Sequence, residues 1–262
     1  EEDEQYCGSY RELLGMMIGE WRALWSESLP FLIVQLPQWI DGKTAADGND
    51  PMRWPVLREA QWDAAQSIDN VHAICTIDCG EYDNIHPLDK RTPGERLANC
   101  ALRQIYGMDR VPVHGPTVLG FRCDPNGRVR LFFRYAHGLH FEGTTPGGGD
   151  DDFDGQLPTL VRVPERSGFE LAGSDGMFHP ATAAIFVDCD IDDLVNSRVN
   201  VVDYNATEFG IPINSRSIGT ITLATPDVPE PMAMRYAWRS WGPAPLFNDD
   251  GLPAQPFRLD LT

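Results

Sequence analysis

Basic residues are scarce in this chain: 21 lysines and arginines face 39 aspartates and glutamates, a formal charge of −18 over 262 residues. A surface of that sign repels phosphate backbones and anionic lipid headgroups, so neither nucleic acid nor a membrane is expected as a partner. Long apolar runs are also missing. No stretch approaches the roughly 18 residues of a membrane-spanning helix, and the first residues carry no signal-peptide pattern. An initiator Met is absent, and the start Glu1-Glu2-Asp3-Glu4 leads us to expect a processed or truncated chain. Of the six cysteines, none forms a C-x-x-C pair. Cys75 and Cys79 lie four apart without the further Cys/His set of a structural zinc site, so buried free thiols are expected. A nucleophilic serine is lacking as well. Gly173-Ser174-Asp175-Gly176 reads as a turn and has no G-x-S-x-G frame.

Two kinds of pattern remain. Residues 8–28 place Tyr10, Leu13, Leu14, Met17, Ile18, Trp21, Leu24 and Trp25 on one face at spacings of three and four, which predicts a helix packed through that stripe. Ser9, with Glu12 three residues on, predicts a capping box. The apolar run 29–36 reads as a parallel strand covered on both faces. Residues 37–55 read as loop, 56–68 as helix, 71–77 as buried strand and 93–106 as helix. That alternation is the tail of a parallel α/β sheet. After Gly107 short alternating runs take over, at 117–122, 129–135, 169–171, 182–187, 198–202, 218–223 and 232–238, and they predict a β-sandwich. The boundary is placed at 110, giving regions 1–110 and 111–262.

Chemistry is expected in Cys79-Gly80-Glu81-Tyr82-Asp83-Asn84-Ile85-His86-Pro87-Leu88-Asp89-Lys90. This loop follows a strand and precedes a helix, the place where open α/β sheets hold their sites. Asp83 and His86 stand three apart in it. A carboxylate that near orients an imidazole, fixes its tautomer and stabilises the imidazolium formed on proton uptake. A surface loop with an incidental histidine has the same local sequence, and local residues alone do not separate the two. Trp39 and Trp54 either stack on a sugar ring or plug their loop into the core, and the second is expected. The acidic loop 147–155 lacks the register of a Ca²⁺ site and reads as a solvated hairpin tip. His137 and His140, three apart in a predicted strand, point to opposite faces, so no zinc site is expected there.

Several stretches in order carry a family resemblance: Tyr10-Arg11-Glu12-Leu13 with Glu20-Trp21-Arg22-Ala23-Leu24-Trp25; Pro30-Phe31-Leu32-Ile33-Val34-Gln35-Leu36; Leu57-Arg58-Glu59-Ala60-Gln61; Ile85-His86-Pro87 with Lys90, Gly94, Glu95, Arg96 and Leu97; and, later, Gly168-Phe169-Glu170-Leu171-Ala172-Gly173, Arg235-Tyr236-Ala237-Trp238 and Gly251-Leu252-Pro253-Ala254-Gln255-Pro256-Phe257-Arg258. Together they resemble sialate O-acetylesterases and related carbohydrate acetylesterases with an SGNH-type hydrolase domain. The resemblance implies an α/β chain: the C-terminal part of an SGNH-type parallel α/β/α hydrolase domain, followed by a β-sandwich domain. It implies a serine esterase that removes O-acetyl groups from sialic acid or related sugars, with no metal or other cofactor. In the I-H-P motif His86 is the base. By the D-x-x-H pattern Asp83 orients it, with Asp78 and Glu81 as the alternatives. The family's nucleophile lies in a G-Q-S-N-type segment upstream of this chain. The expected partners are therefore an acetylated carbohydrate and the N-terminal portion of the same protein, and the chain alone is expected to have little or no activity. A periplasmic or extracellular location follows from the resemblance only. The competing reading is a non-catalytic carbohydrate-binding β-sandwich, motivated by Trp39, Trp54, Trp238 and Trp241.

Overall fold

The computed structural model describes residues 4–142, 160–186, 199–202 and 218–262. The backbone divides into two compact units: Glu1–Val113 with Trp238–Gly242, and His114–Ala237 with Pro243–Thr262. Each is built on its own logic.

The first unit begins with a 3-10 turn, Glu4–Ser9, that runs into α1 (Tyr10–Leu24). The predicted capping box is not formed. Ser9 has helical dihedrals and makes no side-chain cap bond, because the turn before it already leads into the helix. Two strands, β1 (Phe31–Val34) and β2 (Val71–Ile74), pair in parallel with Phe31 opposite Val71 and Val34 opposite Ile74. Parallel pairing requires a long crossover, supplied by α2 (Gly42–Asp47) and α3 (Arg53–Ser67). The short α2 lies inside the predicted loop. Asp41 caps its start by accepting from the Thr44 N–H at 3.0 Å, and Gly48, at φ +64°, ends it. After β2 comes α4 (Arg91–Gln104). Helix α1 packs on α3, α3 on β2, and α4 against both strands.

The apolar stripe of α1 is largely at the surface, contrary to its expected role in packing. Ile18 is buried, but Leu13, Met17 and Trp21 are exposed, and Leu24 and Trp25 keep 76% and 67% of their surface. Nor is β1 covered on both faces, and Val34 is exposed. The main partners of α1 among the described elements are α3 and the 3-10 turn before it, and these leave most of the stripe uncovered.

In the second unit the described strands are β3 (Thr117–Cys123), β4 (Val129–Arg134), β5 (His140–Phe141), β6 (Leu160–Val161), β7 (Phe169–Ala172), β8 (Phe178–Pro180) and β9 (Thr182–Phe186). They continue with β10 (Asn200–Val201), β11 (Gly219–Ala224), β12 (Ala233–Tyr236), β13 (Leu246–Phe247) and β14 (Phe257–Asp260). These form an antiparallel sheet in the order β10-β3-β4-β11-β9-β6, a second in the order β14-β12-β7-β8, and the small pair β13-β5. Alternation decides which face is inside: Leu131 and Phe133 on β4, Ile221 and Leu223 on β11, and Met234 and Tyr236 on β12 are fully buried. The two larger sheets meet through these faces, with Phe133 edge-on to Phe257 at 6.1 Å. The outer ends of the predicted strands, at 187 and 198, and the acidic loop 147–155 lie outside the described residues. His137 pairs with Asp250 at 3.0 Å, and the His140 ring contacts the Gly138 carbonyl and Glu142, so the two histidines of H-x-x-H have separate partners.

Candidate active site

The candidate site lies at the carboxyl ends of β1 and β2, within the first unit. Residues 35–41 leave β1, residues 75–90 leave β2, and side chains lock the two segments together. The Thr76 hydroxyl donates to the Gln35 carbonyl, and the Asp83 N–H donates to the Ile40 carbonyl at 3.1 Å. Gly80 permits this closeness, since a Cβ there would overlap the Gln38 carbonyl. Helix α3 secures the β1 side. Gln61 accepts from the Leu36 N–H at 2.8 Å, and the Gln35 side chain donates to the Arg58 carbonyl at 3.0 Å.

The loop of the D-x-x-H pattern is held from inside. Glu81 accepts from the Leu88 N–H at 2.5 Å and from the Asn84 side chain at 2.7 Å, and Asn84 accepts from the His86 N–H at 3.1 Å. Those donors, the Leu88 backbone first, hold the Glu81 carboxyl below the ordinary range. Pro87 is buried while the His86 ring is exposed, so the imidazole faces solvent from a fastened backbone.

The three candidate orienting carboxylates have different partners. Asp78 is taken by Arg96 in a two-pronged pair at 2.6 and 2.7 Å, with the Arg96 guanidinium also on the Cys75 carbonyl. Glu81 serves the loop backbone. Asp83, at φ +56°, a conformation aspartate tolerates better than most residues, accepts from the Gly42 N–H through Oδ1 at 2.6 Å. Its Oδ2 has no hydrogen-bond partner among the described residues. No hydrogen bond or ion pair joins the His86 ring to any of the three there. The fold thus brings Asp83 and His86 onto one loop at the strand ends, with the carboxylate turned toward Gly42.

Sequence reasoning missed the third contributor, Trp238–Gly242. Ser240 donates through its N–H and hydroxyl to the two oxygens of Asp50, at 2.7 and 2.6 Å. Its carbonyl accepts from the Trp39 N–H at 3.0 Å, and the Gly242 N–H donates to Gln38 at 3.1 Å. Arg58, fully buried, donates to the Arg239 carbonyl. Burial lowers the Arg58 guanidinium to about 10, partly offset by Cys75 and Asp50, so it stays protonated at neutral pH. Trp241 stands edge-on to Tyr82 at 5.7 Å, beside Asp83 in the loop. The sequence singles out Trp238 and Trp241, but nothing local ties this segment to a loop some 150 residues earlier in the chain.

These loops bound a pocket of about 300 Å³ whose lining includes Trp39, Trp54, Asp41, Thr44, Ile85 and Ser240. Trp54 is 2% exposed and donates to the Pro37 carbonyl at 2.6 Å, plugging its loop as expected, while Trp39 lies against it with ring centroids 5.1 Å apart. Bonds from the Thr44 side chain and backbone hold the Asp41 carboxyl below its ordinary range. Burial pushes the Cys75 and Cys79 thiols up to about 12, leaving them protonated and poor nucleophiles at neutral pH.

The chain is similar to a carbohydrate acetylesterase from Xanthomonas citri in its crystal structure: 30% identity, a TM-score of 0.66, and 97% of this chain covered. It spans 46% of the length of that protein. No protein-family model matches the chain, and no curated protein matches it.

Proposed function

We propose that this chain belongs to a carbohydrate esterase and carries its proton-transfer arm. In finer terms, it is the C-terminal part of an SGNH-type hydrolase domain followed by a β-sandwich. Its substrate is an O-acetylated sugar, a class with two branches: the sialic acids named by the family resemblance, and neutral pyranoses. The observation that carries the reading is the exposed His86, on a side-chain-fastened loop at the ends of two parallel strands, in a chain similar over nearly its whole length to a carbohydrate acetylesterase.

The chemistry runs as follows. A serine of the N-terminal portion of the same protein attacks the acetyl carbonyl while His86 takes its proton, giving a tetrahedral oxyanion and an imidazolium. His86 returns the proton to the departing sugar oxygen as the C–O bond breaks. Water, deprotonated by the same imidazole, then hydrolyses the acetyl-serine to acetate. Asp83 steadies the imidazolium once the His86 ring turns toward Oδ2, the oxygen not used by Gly42; before that turn no hydrogen bond joins the two side chains among the described residues.

The test is acetate release from an acetylated sugar, with this chain supplied with its upstream portion. His86→Ala should lower the rate by about 10²–10⁴. Asp83→Asn should lower it less than His86→Ala, and Asp78→Asn should act through stability alone. A rate untouched by His86→Ala ends the proposal. The alternative, a carbohydrate-binding second unit, gains nothing from the four tryptophans that motivated it, because they lie in the first unit with the other three of the chain.

A further inference from the structure

We propose that the pocket walled by Trp39 and Trp54 receives the ring of a neutral acetylated pyranose and discriminates against a sugar bearing a carboxylate. This rests on the esterase reading and narrows its substrate class. The volume, about 300 Å³, suits a single ring better than a chain of them. One wall is a pre-set apolar surface: the half-buried Trp39, held through its backbone N–H, offers its ring, and the buried Trp54, pinned through its indole N–H, backs it at a tilt of 49°. Such a surface suits the C–H face of a pyranose, because binding it freezes few side-chain rotamers.

The remaining wall is rich in hydrogen-bond acceptors and acidic. Asp41, which lines the pocket, accepts from the Thr44 N–H and side chain, and the lone pairs that remain on its carboxylate can accept from a sugar hydroxyl. Glu4 also lines the pocket, and its cation Arg53, 3.2 Å away, is not a lining residue. Among the described lining residues none is Lys, Arg or His. Hydroxyl donors find partners there, whereas a carboxylate meets the Asp41 carboxylate and a Glu4 already paired with Arg53, with no cation in the described lining, in a protein of formal charge −18. Ile85, a lining residue, immediately precedes His86, so the pocket and the proposed base share one loop.

The test uses the 262-residue chain as it stands, titrated with methyl 6-O-acetyl-β-D-glucopyranoside and with N-acetylneuraminic acid, and read by tryptophan fluorescence. The neutral ester should bind saturably, and the anionic sugar at least about tenfold more weakly. Asp41→Asn keeps the helix cap and removes a charge, so it should shrink that difference. Trp39→Ala should weaken the neutral ester about tenfold. Should that variant melt early, Thr44→Trp fills the pocket from its rim and should abolish binding. Equal binding of the two sugars, no saturable binding of the neutral one, or indifference to both Asp41→Asn and Thr44→Trp overturns the proposal. His86→Ala separates the two ideas: it should leave the sugar affinity intact while abolishing acetate release in the completed protein. In the completed protein, binding without any hydrolysis refutes the esterase reading alone, and hydrolysis indifferent to Thr44→Trp refutes the pocket alone.

Discussion

The imidazole of His86 projects from a backbone that Glu81 holds closed, and Glu81 holds it more strongly when ionised. Because its carboxyl is held below the ordinary range, its contribution is fully present above the usual glutamate pKa and is lost as the pH falls through the lowered value. The protection factor of the Leu88 amide, its exchange rate relative to the unstructured rate at the same pH, should therefore be constant across neutral pH and should fall on acidification below the carboxylate range. Glu81→Gln should remove the acid dependence; a Leu88 protection factor indifferent to acid in the parent chain contradicts the assignment. At this scale the spacing of Asp83 and His86 was legible in the sequence. The division of labour among Asp78, Glu81 and Asp83 was not. Three carboxylates within six residues are equivalent in one dimension and are told apart only by their partners, Arg96, Leu88 and Gly42.

Helix α4 is clamped to the end of β2 by Arg96 and Asp78, whose side chains keep only 10% and 16% of their surface. Removing the cation strands a nearly buried carboxylate, so Arg96→Ala should cost roughly 3–5 kcal/mol in denaturant unfolding. Arg91, one turn earlier on the same helix, pairs with Glu95 in full solvent, and Arg91→Ala should leave the unfolding midpoint unmoved. Equal effects of the two would refute the clamp. The helices and strands of the first unit were readable from period and punctuation, since apolar spacing reports which side of an element avoids water. The true length of β1 was not, because the run 29–36 is equally apolar beyond the four residues that find a pairing partner. Short strands such as β5, β6 and β13 also escaped notice, since two residues carry no period.

Across the whole molecule, the exposed apolar residues of α1 are the feature a solution experiment reads most directly. The environment-sensitive dye ANS should bind this face, and Leu24→Lys with Trp25→Lys should cut the dye signal while leaving the melting temperature nearly unchanged, as expected for substitutions outside the core. An unaltered dye signal would place the binding elsewhere. Composition and periodicity by themselves determined the acidic surface, the change from helix–strand alternation to short antiparallel strands, and the loop where a histidine stands near carboxylates. These are local properties, written in neighbours a few residues apart. Only the tertiary structure decided that Trp238–Gly242 belongs with the first unit, that Asp83 turns to Gly42, that Trp39 and Trp54 wall a pocket, and that α1 keeps its stripe in water. Each depends on which distant segments come within a few ångströms of each other, and hydrophobic period carries no information about that.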